Sequence, residues 1–203
     1  MATALQKFHR ASGLIIAIFL LLHFTNHLFA LAGPQVHIRV MEIFRELYRF
    51  PPVEILLLAC VASQIVSGAT LVAKKGFRRQ PVAVKVQVLS GGYLALFLIN
   101  HVAAVMMARY QWHIETDFYF AANVAVEFPS KLFFIPYYTL SILSVFAHIA
   151  SIHFLKRTNY PETIVDSVMM AKIKRESFTI FAFGAVITVL VMISFTGLLY
   201  KIA

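Results

Sequence analysis

The sequence predicts an all-α integral membrane protein with five transmembrane helices. Three observations predict it. Of 203 residues, 60% are hydrophobic and only 13% are charged, about half the charged share usual in a soluble domain. Five apolar runs each reach the roughly 20 residues that a helical span requires. Histidines, which are costly inside lipid unless something uses them, recur within those runs. The excess of Lys and Arg, 18 against 9 acidic residues, reads in so apolar a chain as loops facing an anionic leaflet rather than as a nucleic-acid surface. The single cysteine, Cys60, excludes an internal disulfide and a thiolate metal cluster.

The spans are expected at about 13–32, 53–73, 86–108, 132–155 and 178–200, in a single transmembrane domain covering 1–203. The first run is too long for a cleavable signal, and its polar positions have helical spacing. Gly33-Pro34 ends it. Residues 35–50 place Val36, Val40, Ile43, Phe44 and Leu47 among charges, the pattern of an interfacial amphipathic helix. Pro51-Pro52 opens the second span, where proline is tolerated in a first turn. A basic loop, Lys74–Pro81, leads to the third span. Residues 109–130 read as a mixed loop whose Tyr110, Trp112 and Tyr119 suit the membrane interface. Lys156-Arg157 closes the fourth span, a polar stretch covers 158–176, and the fifth span carries no charge and no histidine.

Orientation follows from the basic residues. Lys7, Arg10, Lys74, Lys75, Arg78, Arg79, Lys85, Lys156, Arg157, Lys172, Lys174 and Arg175, twelve of the 18, fall on the N-terminal side. This predicts a cytoplasmic N-terminus and an external C-terminus.

His23 lies 14 residues beyond His9, and His101 lies 15 residues beyond Val86. At about 1.5 Å per residue, both sit about 20 Å from the cytoplasmic face. In a four-helix bundle the first and third spans are diagonal, so these two imidazoles can face each other and hold a planar macrocycle between them. The predicted fold is therefore a four-helix haem-binding bundle core plus a fifth helix. His148 falls in the inner half, and the residue at matching depth in the second span is Gln64, a poor haem ligand. Gly13, Gly68, Gly91 and Gly92 either admit a flat cofactor or pack helices together. His37 and His113 fall in outer loops with no specific role expected, and His153, beside Lys156 and Arg157, reads as interfacial.

His9-x-x-x-Gly13 with His23, the amphipathic segment, Glu54 at the head of the second span, Ser90-Gly91 with His101, and His148 together resemble the five-helix cytochrome b membrane anchor of succinate dehydrogenase and fumarate reductase. The resemblance covers nearly the whole chain through span order and loop lengths. It implies an outer haem b between His23 and His101, and it assigns His148 to the helix-four ligand of an inner haem whose other ligand falls at Gln64. One haem is thus expected, the inner one being in doubt. It also implies membrane quinone as substrate, and flavoprotein and iron–sulfur subunits docked on the cytoplasmic side.

Arg10 and Ser12 resemble quinone and propionate contacts. Alternatively, Arg10 is a basic membrane anchor and Ser12 a residue of a helix N-terminus. His27, one turn beyond His23, reads as a propionate partner or an interfacial residue. His148 reads as a haem ligand or a structural residue. Glu54 reads as a proton acceptor at an outer quinol site or as a helix-dipole partner. The expected function is electron transfer and anchoring in a succinate:quinone or quinol:fumarate oxidoreductase, with no flavin or substrate domain in the chain itself. The runner-up is a stand-alone or haemless protein of the same scaffold, acting in quinone or lipid binding or in assembly. The oligomeric state is left open. No inverted repeat or broken helix suggests a transporter, and no chain of ionisable residues crosses a span.

Overall fold

The computed structural model describes residues 3–158 and 166–202. Seven α-helices account for its order: α1 (Ala4–Phe29), α2 (Pro34–Tyr48), α3 (Pro51–Lys75), α4 (Val82–Tyr110), α5 (Phe118–Val126), α6 (Lys131–Arg157) and α7 (Ser167–Phe195), with a 3-10 turn over Ala30–Ala32. Five segments are long and apolar enough to cross a membrane: Ala4–Ala32, Pro51–Lys74, Val82–Tyr110, Lys131–Arg157 and Ser167–Phe195. Their outward faces carry Leu14, Leu21, Ile55, Leu89, Leu96 and Phe183, all exposed. A soluble protein does not display so much contiguous apolar surface, whereas lipid solvates it.

The helix ends explain where the expected spans differ. Thr3 caps α1, its hydroxyl accepting from the Gln6 backbone N–H while the Gln6 side chain accepts from the Thr3 N–H. This reciprocal cap starts the helix nine residues before Gly13, so Ser12 sits inside α1 rather than at its N-terminus. Asp166 caps α7 through the Met169 N–H, and the last span accordingly begins at Ser167 and ends at Phe195. Of the expected polar stretch 158–176, residues 159–165 lie outside the described residues. Gly197 takes φ +74°, a conformation glycine adopts without a Cβ clash. It turns the chain so that the Tyr200 hydroxyl donates to the Ala30 carbonyl at 2.7 Å. The expected 109–130 loop contains a helix, α5, capped by the Asp117 carboxylate. Phe118, Ala122 and Ala125 of α5 are buried, and the first two pack with Ala30, Ile142, Ile187, Val191 and Phe195.

α1 packs along α3, α4 along α6, and α6 along α7, with α3 also meeting α4. Among the described residues, no Cα of α1 approaches one of α4 or α6 within 8 Å, and none of α3 approaches α6. Side chains bridge the interval, as where Phe24 stacks on Phe146 at 5.9 Å. Buried Ser12, Ser90, Ser151, Thr188 and Ser194 each donate to the carbonyl four residues back. Their hydroxyls are thus satisfied while the small side chains let helices approach. Gly184 is the closest case: a Cβ there would overlap the Phe146 ring.

Candidate functional site

Histidines occupy two levels between the helices. On the side closed by α2, the His23 and His101 rings face each other with centroids 6.3 Å apart and planes at 71°. Phe19 stacks on His23 at 5.4 Å and Phe97 on His101 at 5.1 Å. Each aromatic lies one helical turn before its histidine and fixes the ring. His27 Nε2 lies 3.1 Å from His23 Nε2, and His27 Nδ1 lies 3.2 Å from His37 Nε2. Asn26 Nδ2 donates to His37 Nε2 at 3.1 Å.

Donor bookkeeping gives this chain a direction. His37 Nε2 accepts from Asn26, so His27 Nδ1 must donate to it. Neutral His27 then accepts at Nε2 from the His23 N–H, which leaves the His23 lone pair on Nδ1. His37 Nδ1 and Asn26 Oδ1 are buried without a hydrogen-bond partner.

His37 corrects an expectation. It was assigned to an outer loop without a role, yet it is 2% exposed and sits between Phe118 and Phe195 at 5.4 and 5.8 Å. Burial lowers its pKa to about 4; Asp117 opposes this and Arg45 adds to it. The connected imidazoles run from His23 through His27 to His37, out of α1 and onto α2. An i, i+4 pair, His23 and His27, was the visible signal for it. His37 was not, because only the fold of α2 back over α1 brings it there.

At the other level, polar groups engage their own neighbours. His9 Nδ1 lies 2.7 Å from Ser67 Oγ, and His148 Nδ1 lies 3.0 Å from the Gln87 carbonyl and 3.3 Å from Ser90 Oγ. Gln64 Nε2 donates to the His9 carbonyl at 2.5 Å and to Ser12 Oγ at 2.7 Å. Gln64 is therefore a tie between α3 and α1. A Cβ on Gly13 would stand 3.4 Å from Gln64, one on Gly68 would stand 3.4 Å from His9, and one on Gly91 would stand 3.0 Å from His148. These three glycines make room for the polar side chains opposite them, and Gly92 meets nothing within 4 Å. Arg10 is exposed. His153 pairs with Glu176 at 2.9 Å at the end of α6, and Arg157 stands 3.7 Å from the same carboxylate.

Glu54, at the head of α3, forms a largely shielded ion pair with Arg109. Around that pair, Arg45 donates to the Thr116 carbonyl at 2.8 Å and to its hydroxyl at 3.2 Å, and Arg49 donates to the same hydroxyl at 3.0 Å. Burial, then the Arg45 and Arg109 cations, lower the pKa of Arg49. Burial raises that of Tyr48, whose ring meets Phe19 edge-on at 5.6 Å.

Among the described residues, no group of three or more His, Cys, Asp or Glu side chains is arranged to hold a metal ion. Comparison of the chain with family models, curated proteins and solved structures gives no match.

Proposed function

We propose that this chain is a membrane-embedded electron-transfer subunit that holds one haem b between His23 and His101, in a bundle formed by α1, α3, α4 and α6 with α7 alongside. The observation that carries the reading is the 6.3 Å separation of the two rings. Two imidazoles that each put a nitrogen about 2.0 Å from one metal ion would stand at a comparable ring separation. A haem iron needs only two protein ligands, so the lack of a three-residue group does not bear against it. The donor set fits as well: both rings are held by a stacked phenylalanine, and they project from helices whose backbones stand apart.

When bound, haem supplies one-electron chemistry. The chain's residues do the rest. His23 and His101 supply two nitrogen ligands and orient them. Ligation through His23 Nε2 would require its proton to sit on Nδ1 instead, and would leave His27 Nε2 free to accept a hydrogen bond elsewhere. Phe19, Phe97 and Phe24 line the surroundings with apolar surface and exclude water.

In this reading the electron partners are membrane quinone on one hand and flavoprotein and iron–sulfur subunits on the other. The latter dock on the His9 side, where Lys74, Arg78, Arg79, Lys156 and Arg157 are exposed. That side is cytoplasmic by the distribution of basic residues. Gln64, engaged with α1, is no ligand, so His148 has no imidazole partner in α3 and the subunit carries a single haem.

The reduced-minus-oxidised absorption spectrum of the purified full-length protein tests the proposal. A b-type signal at one haem per chain, lost in His23→Ala and in His101→Ala, is the expected result. Folded protein without haem after expression with haem supplied overturns it in favour of the haemless scaffold. Co-purification of a flavoprotein and an iron–sulfur protein tests the partner assignment separately.

A further inference from the structure

The α2 side carries a second polar assembly that the electron-transfer reading does not use. An open pocket of about 310 Å³ is lined by Arg49, Arg109, Tyr110, His113, Ile114 and Glu115. Three guanidiniums, from Arg45, Arg49 and Arg109, crowd there against two carboxylates, Glu54 and Glu115. His113 adds a further nitrogen base. The Glu115 side chain is 79% exposed, so it screens the cations weakly.

A guanidinium carries five N–H donors. Arg49 gives one of its own to Thr116, while Arg109 gives one to Glu54 and makes a 3.5 Å contact with the Tyr110 hydroxyl. Both therefore keep donors that no acceptor among the described residues takes. Like charges brought together with unused donors form a site for an anion with several oxygens.

The backbone points the same way. His113 takes φ +52°, a conformation that costs a residue other than glycine and clusters at binding sites. Two hydrogen bonds hold the turn, Trp112 N–H to the Met107 carbonyl at 3.1 Å and Ile114 N–H to the Ala108 carbonyl at 2.8 Å. The turn places His113 on the pocket wall.

We propose that this pocket binds the phosphate of an anionic phospholipid headgroup. The surroundings favour a lipid over a free ion. Tyr110 and Trp112 beside the pocket, and Leu47 and Phe50 at the end of α2, are all exposed apolar or aromatic groups. Such groups sit at the level where headgroups meet acyl chains. A lipid engages both the guanidiniums and this rim, whereas a free phosphate engages only the former.

Trp112 is the only tryptophan and adjoins the pocket residue His113 in sequence, so its fluorescence reports on lipid next to this pocket. The full-length protein is reconstituted in vesicles in which either phosphatidylglycerol or phosphatidylcholine carries brominated chains that quench nearby tryptophan. Anionic lipid is expected to quench at about five-fold lower mole fraction, the preference one cation near a membrane surface confers. Arg49→Gln is expected to bring the ratio close to one, while Arg39→Gln, on an exposed part of α2, leaves it unchanged. Equal quenching by the two lipids overturns the proposal, as does a preference that survives both Arg49→Gln and Arg49→Gln/His113→Ala. Thermal stabilisation by inorganic phosphate without any lipid preference also overturns it, since the site would then serve a soluble anion. The readout is the ratio between the two lipids at fixed haem content, in which any quenching of Trp112 by haem cancels, so this proposal and the electron-transfer proposal fail separately.

Discussion

The two histidine levels are built from the same residue types and end in different states. On the α2 side, His23 and His101 project from helices that do not touch and meet ring to ring. On the opposite side, His9 and His148 each turn Nδ1 to a close neighbour, and Gln64 ties α3 to α1. One level keeps two bases facing each other across a gap. The other has converted its polar groups into interhelical hydrogen bonds, worth about 1 kcal/mol each in a membrane bundle. A histidine in a span is thus a candidate ligand when its partner at the same depth is a second imidazole rather than a helix-tying amide such as Gln64.

The largest effect that sharpens this contrast is spectroscopic. His23→Ala and His101→Ala should each abolish a b-type absorption signal, while His148→Ala should leave it. Loss of the signal in His148→Ala, or two haems per chain, breaks the contrast.

Next comes the pH dependence of stability, read from thermal unfolding between pH 7.5 and 4. The folded pKa of His37, about 4, lies below its ordinary 6.5. The unfolded chain therefore binds more protons between these values. The His37 contribution is full above about pH 6.5 and is lost as pH falls towards 4, on the order of 3 kcal/mol. His37→Gln should flatten that slope.

Gln64→Leu should cost about 1–2 kcal/mol, the worth of two interhelical hydrogen bonds. It should not change the spectrum, because the residue ties helices and holds no ligand position. The smallest effects separate the glycines. Gly91→Ala places a methyl 3.0 Å from His148 and should cost about 1 kcal/mol. Gly13→Ala, at 3.4 Å from Gln64 in ordinary contact, should cost only a few tenths. Equal melting temperatures for these two variants would mean that the His148 level is as loosely packed as the Gln64 contact.

Much of the fold was legible because lipid imposes one simple pattern. Five long apolar runs, charged only at Glu54 near one end of the second, read as spans, and Gly33-Pro34 and the paired prolines mark boundaries between them. The equal depth of His23 and His101 was legible because rise per residue is fixed. The α5 helix was not, because its nine residues sit in a stretch also rich in charge and turn residues, and its burial depends on α6 and α7 closing over it. His37 was missed for the same reason: amphipathicity places α2 at the surface, but not the rotation that turns one histidine inward. Glu54 was visible as a lone carboxylate, while its partner Arg109 stands 55 residues away in sequence and is brought to it only by packing.

Phe195 closes α7, a helix with no histidine among its residues. Its ring stands edge-on to His27 at 5.2 Å and His37 at 5.8 Å. The helix that contributes nothing to the chemistry therefore acts as the gasket over it. By keeping bulk water from the imidazoles, it lowers the local dielectric and so strengthens every hydrogen bond in the row. Part of the surroundings of the α1 imidazoles is thus set by a side chain some 170 residues further along the chain, on a helix whose trailing segment is tied back by the Tyr200–Ala30 hydrogen bond.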